Sequence, residues 1–177
     1  MSFNFNSNNT TRDNKALTKN DKISYEPVTE ILKNTLSAEF PIVPNNKDIL
    51  QLLMHNYFNK PDFTTDEALV TDYNNCMDLL SLNTILEDKF DTFFVFVCVK
   101  DVDPLFYKHI PVMVKNKQGL KKKIYKLVQL PYGSFATLNK NKVSVQQGVF
   151  ILRFDNKDKA LQKNLLYINI ISKVPDI

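Results

Sequence analysis

The chain has 177 residues, 44% of them hydrophobic and 24% charged, with a formal net charge of +4. That balance fits one globular domain with a buried core and excludes a wholly disordered chain. Three glycines exclude a Gly-rich phosphate loop, two cysteines exclude a disulfide framework, and no apolar run approaches the ~18 residues that a membrane span requires.

Residues 1–22 are rich in Asn, Ser, Thr and Lys and read as a disordered polar tail, with Phe3 and Phe5 as its only aromatics. This tail lacks a basic segment followed by an apolar one, so neither secretion nor membrane insertion is expected. The remaining residues, 23–177, are expected to form a single α+β domain, helical over 27–88 and strand-rich over 90–174. Pro27, followed by Val28, Ile31, Leu32 and Leu36 at helical spacing, predicts a short amphipathic helix over 27–37, which Pro41 and Pro44 bring to an end.

A second helix is signalled by Asn46 or Asp48 as cap and by Ile49, Leu50, Leu53, Met54, Tyr57 and Phe58 on one face, up to the break at Pro61. Thr64 and Glu67 have the spacing of a capping box. With Leu69, Tyr73, Cys76 and Leu80 behind them, they predict a third helix over about 65–80, which Leu82, Ile85 and Leu86 extend or follow as a separate turn.

From Phe90 the period changes. β-Branched and aromatic residues cluster in five runs, Thr92–Val99, Ile110–Val114, Ile124–Leu130, Val149–Phe154 and Leu165–Ile171, each with the length of a strand. Helices followed by a block of strands predict three helices packed on a mainly antiparallel sheet of about five strands, built as a meander and not as parallel βαβ units. Cys76 and Cys98 sit in apolar surroundings without Cys or His partners at metal-binding spacing, and read as buried free thiols in a reducing compartment.

Charge is distributed unevenly. Residues 1–90 hold eight Lys/Arg and thirteen Asp/Glu, a net of 8 − 13 = −5, whereas residues 91–177 hold fifteen and six, a net of 15 − 6 = +9. The stretch from Pro104 to Phe154 carries ten basic residues and no carboxylate. A positive field of that kind attracts nucleic acid or an acidic protein, and the interleaved aromatics suit base stacking.

The candidate binding residues are Lys115, Lys117, Lys121, Lys122, Lys123, Lys126, Lys140 and Lys142, with Tyr132 as a stacking ring. Lysine outnumbers arginine 21 to 2, which favours phosphate contact over bidentate reading of guanine and argues against sequence specificity. The same lysine excess, with abundant asparagine, is also what an AT-rich eukaryotic coding bias produces, which leaves a merely solvated face as the plain alternative.

Chemistry is weakly signalled. Asp101 and Asp103 flank Val102 past an apolar strand and have the alternate spacing from which Mg²⁺ sites are often built, yet a solvated strand end is the commoner meaning of such a pair. His55 and His109 have no partner at metal-binding spacing, and no serine or cysteine sits in a nucleophile signature. No cofactor or metal is expected.

The sequence therefore points to a non-catalytic subunit of a multiprotein or ribonucleoprotein complex, working in the nucleus or cytoplasm. Its helical half would serve assembly with other protein subunits, and its basic half would contact RNA or DNA. Its alternatives are a protein-only adaptor for an acidic partner and, more remotely, a divergent metal-dependent enzyme using Asp101 and Asp103. The opposed charges of the two halves also allow self-association.

Overall fold

A computed structural model of the chain describes residues 39–60, 67–81, 89–120, 123–140 and 144–177. The expected tail over 1–22, the helix over 27–37, the Thr64 cap and the Leu82–Leu86 turn lie outside the described residues. The class is α+β. Four strands, β1 (Leu69–Val70), β2 (Thr92–Val97), β3 (Ile124–Gln129) and β4 (Val149–Phe154), form a mixed sheet in the order β1-β4-β2-β3.

The second expected helix is present as α1 (Asn46–Leu53), which continues into a π-helical turn over Met54–Phe58. Its apolar stripe buries Ile49, Leu53 and Phe58, as the spacing predicts. The third helix is shorter than expected. Leu69 is in β1, paired with Leu152, and the helix α2 (Tyr73–Leu80) starts only after Asp72, whose side chain accepts from the Asn75 amide at 2.9 Å. The local cap at Asp72, together with pairing to β4, sets this boundary.

Two of the five expected strands are helices. Residues 110–114 open α3 (Ile110–Leu120), and residues 165–171 lie in α5 (Leu165–Lys173). In α3, Ile110, Val114 and Lys117 are buried at intervals of four and three, so the side chains that alternate along a strand also fit one helical face. Pro111 is tolerated in the first turn, where backbone N–H groups have no intrahelical acceptor. In α5, Asn164 caps the helix by accepting from the Tyr167 amide at 3.1 Å, and Leu166, Ile170 and Val174 are buried four residues apart. The helix penalty of β-branched residues is only about 0.5 kcal/mol each, less than the gain from burying such a stripe.

Because residues 110–120 are helical, β2 and β3 are joined by a crossover and run parallel, whereas β4 pairs antiparallel with both β2 and β1. The meander is therefore replaced by a βαβ unit with an antiparallel strand beside it. Helices cover both faces of the sheet, not one. Phe94, Phe96, Val128, Phe150 and Leu152 point into the layer of α1 and α5, while Phe93, Val95, Leu127 and Ile151 point into the layer of α2 and α3. Every residue of β2 is buried for that reason. Register partners stack across the strands, Phe96 on Phe150 and Phe93 on Tyr125, each pair at 4.8 Å between centroids.

β3 is an edge strand, yet Tyr125, Leu127 and Val128 are buried. Two extended segments account for this. Phe40 and Val43 belong to opposite core layers, as do Ile177 and Val174, so each segment passes around the sheet. Asn46 Nδ2 donates to the Gln129 carbonyl at 3.5 Å and Lys126 Nζ to Asp176 at 2.7 Å, which places both crossings at β3. Covering an edge in this way hides the unpaired backbone groups that would otherwise recruit another strand.

Candidate nucleic-acid interface

Beyond the carboxyl ends of β2 and β3 and the amino end of β4, three connections meet. The Cys98 amide donates to the Gly148 carbonyl at 2.9 Å, and the Leu130 amide to Val97 at 2.9 Å. Asp101 then joins the first two connections. One of its carboxylate oxygens accepts from the Gly133 amide at 2.8 Å and the other from the Phe135 amide at 3.0 Å, so it caps the short helix α4 (Ser134–Leu138).

Gly148 has φ +68°, and a Cβ placed there would meet Val102 Cγ1 at 2.8 Å, so the third connection seats directly on the first. Gln146 extends the assembly to α2, its amide donating to Thr71 and its side-chain oxygen accepting from the Tyr73 amide at 3.2 Å. The Tyr73 hydroxyl in turn donates to the Phe106 carbonyl at 2.9 Å. Loops fixed at this many points form a platform, not a set of independent turns.

On that platform Tyr132 is 81% exposed and Leu105 63% exposed, with Lys100, Lys140, Gln146 and Gln147 also exposed. Gln147 has φ 53°, a left-handed conformation that a non-glycine residue adopts only where its surroundings impose it. The nearby acids are engaged. Asp101 caps α4, and Asp103 accepts from the Leu105 amide at 2.8 Å. The two carboxylates of the remoter metal-site alternative thus cap separate turns, and among the described residues no group of three or more His, Cys, Asp or Glu could hold a metal ion.

The other expected binding residues are scattered. Lys115 is exposed on α3, whereas Lys117 is buried on the same helix. Lys123, at the amino end of β3, donates to the Phe90 carbonyl at 3.0 Å and lies 5.3 Å from the centre of the Phe93 ring. Lys126 is buried, with its ammonium bonded to the Val174 carbonyl at 2.8 Å and to Asp176. Lys121, Lys122 and Lys142 lie outside the described residues. Tyr132 and Lys140 are the expected residues that the fold places on the platform, at the end of β3 opposite Lys123.

Sequence reasoning missed Lys100, Leu105 and Gln147. Lys100 and Leu105 bracket the Asp101–Val102–Asp103–Pro104 turn, and a turn directly after a buried strand is a signal that could have marked them. Burial, and then the charge of Lys108, pull the His109 imidazole below its usual range. Its Nε2 lies 3.4 Å from Met77 Sδ, which gives the ring a structural contact. Cys76 and Cys98 are buried and unbridged.

A family model described as RNase P subunit Pop3 matches residues 24–174. The chain belongs to the RNase P subunit Pop3 family. Members of this family are protein subunits of an intracellular ribonucleoprotein complex, so the chain works beside other protein subunits and RNA. Because catalysis in RNase P is carried by RNA, membership in the Pop3 family supports a non-enzymatic role. No curated protein matches the chain.

Proposed function

We propose that the chain is a non-catalytic RNase P subunit that contacts RNA through the platform at the carboxyl ends of β2 and β3, without strong sequence specificity. The observation that carries this reading is the exposure of Tyr132, with Lys100 and Lys140 exposed on the connections that follow β2 and β3, where Asp101 and Asp103 are engaged as caps. An exposed ring supplies a stacking surface for an unpaired base, and the lysines supply phosphate contacts.

Family membership supports RNA over DNA as the nucleic acid. The low specificity follows from chemistry. Of two arginines in the chain, Arg153 donates to the Glu67 carbonyl and lies 4.5 Å from the centre of the Phe90 ring, away from the platform, so among the described residues no guanidinium fork is supplied there.

The test is fluorescence anisotropy of the purified chain with single- and double-stranded RNA and DNA across a salt series. Tyr132→Ala is expected to weaken RNA binding by ~1–3 kcal/mol, the usual worth of one stacked base. Lys100→Ala combined with Lys140→Ala should lower the salt slope by about one unit for each phosphate contact removed. RNA binding that none of these substitutions alters would overturn the assignment of the platform.

A further inference from the structure

The outward face of α5 is apolar in an unusual way. Leu165, Ile168, Asn169 and Ser172 fall on one stripe at intervals of three, one and three, with Leu165 60% and Ile168 42% exposed. The polar members of the stripe are turned back on the helix. Asn169 Nδ2 donates to the Leu165 carbonyl at 2.8 Å, and Ser172 Oγ to the Ile168 carbonyl at 2.7 Å. With one donor of each side chain bonded internally, covering the stripe costs less than covering fully solvated polar groups would.

Its surroundings are basic. From Lys159 to Pro175 there is no carboxylate, and exposed Lys163 and Lys173 stand at the two ends of the stripe. The bordering acids are committed elsewhere, Asp158 to the Ala160 amide at 2.9 Å and Asp176 to Lys126. The inner face of α5 is already taken up by Leu166, Ile170 and Val174 in the core. Tyr167 bonds Asn156 in the turn after β4, which sets the start of α5 at the end of the sheet opposite the platform.

From this geometry we infer that the outer face of α5 is the docking surface for an acidic amphipathic helix of another protein subunit. Leu165 and Ile168 would meet apolar residues at positions i, i+3 and i+4 of that helix, and Lys163 and Lys173 would meet Asp or Glu at its margins. The stripe has no aromatic ring, which sets it apart from a base-stacking platform. This inference stands apart from the RNA contact, since it uses a different surface.

The test uses the full chain and each purified protein subunit of RNase P in turn, by isothermal titration. Leu165→Ser with Ile168→Ser replaces exposed side chains, so an unchanged Tm is expected. The same pair is expected to weaken binding to one subunit by ~tenfold or more while leaving RNA affinity as it was. Lys163→Glu with Lys173→Glu should weaken the same complex and reduce or reverse its loss with salt, because salt screens the repulsion that the reversal introduces. Three results would overturn the inference: no subunit responding to the serine pair, RNA affinity falling in parallel with it, or the chain alone changing oligomeric state in sedimentation. Insensitivity to the charge reversal would overturn the acidic chemistry of the partner. Failure here leaves the effect of Tyr132→Ala on RNA binding untouched, so the two readings fall separately.

Discussion

The two ends of β3 carry the same sequence signal, lysine among aromatic residues, and the fold uses them in opposite ways. At the amino end, Lys123 is drawn against Phe90 and Phe93, and Lys126 runs along the sheet to the Val174 carbonyl. At the carboxyl end, Tyr132 and Lys140 are left in solvent and the nearby acids are bound to amides. What separates them is the supply of acceptors. A lysine whose stem lies on apolar surface and whose head meets a free carbonyl becomes part of the structure, and only one without such an acceptor remains available to a phosphate.

The largest effect expected concerns the dryness beneath the platform. Burial, followed by the charges of Asp72 and Asp101 respectively, pushes the Cys76 and Cys98 thiols up to about 12 from an ordinary 9.0. Below pH 9 folded and unfolded chains both hold these protons, and stability is at its full value. Between about 9 and 12 the unfolded chain ionises first, so stability falls by roughly 1 kcal/mol per pH unit for each thiol. Denaturant melts from pH 8 upward should show that decline, and Cys98→Ala should make it shallower. A Cys98→Ala slope equal to that of the unaltered chain would mean that water reaches the thiol and that the platform is loose.

Two glycines sharpen the same contrast at the carboxyl end. Both have positive φ, but a Cβ on Gly148 would strike Val102 and crowd Cys98 Cβ at 3.1 Å, whereas one on Gly133 would meet nothing within 4 Å. Gly148→Ala should therefore cost about 3 kcal/mol, conformation and overpacking together, and Gly133→Ala only about 1 kcal/mol. Equal losses in urea melts would show that backbone conformation alone matters, and that the third connection is not seated on the first.

Which parts of this were legible beforehand follows from where the deciding force is local. The stripe of α1 and the apolar runs of β2, β3 and β4 were readable because one periodicity fitted them. Ile110–Val114 and Leu165–Ile171 were not, because their apolar residues suit strand alternation as well as a helical face, and packing decided between the two. Once residues 110–120 became a crossover helix, the parallel pairing of β2 with β3 followed, and with it the platform at their shared end. Tyr132 and Lys140 were named through composition, and the fold leaves both exposed. Lys126 was named for the same reason, but its partner Asp176 lies fifty residues away, beyond any local pattern.

That pair offers a double dissociation. Lys126→Met keeps the buried stem and removes the donor to Val174, at a cost of about 1–2 kcal/mol in stability. Asp176 is 77% exposed and can return to water, so no stranded buried charge adds to the loss. Lys140→Met should change stability by less than ~0.5 kcal/mol, as surface substitutions usually do. In RNA binding the order should reverse, with Lys140→Met weaker and Lys126→Met unchanged. A loss of RNA affinity in folded Lys126→Met would break the distinction between the two ends of β3.

The smallest effect discriminates most finely between a capping and a catalytic carboxylate. Asp101 holds two amides at the start of α4, those of Gly133 and Phe135, and Asp103 one amide of its own turn, so Asp101→Asn, which retains one acceptor oxygen, should cost about 1 kcal/mol, and Asp103→Asn less. Because the Asp101 carboxylate fixes Gly133, the residue after Tyr132, its substitution should also loosen the ring and weaken RNA binding a few-fold. Both effects should be the same with Mg²⁺ and with chelator. If stability and binding changed with Mg²⁺ in the unaltered chain and ceased to do so in Asp101→Asn, the carboxylate would be a metal ligand, and the carboxyl end of β3 would have to be read as a reactive centre instead of a platform.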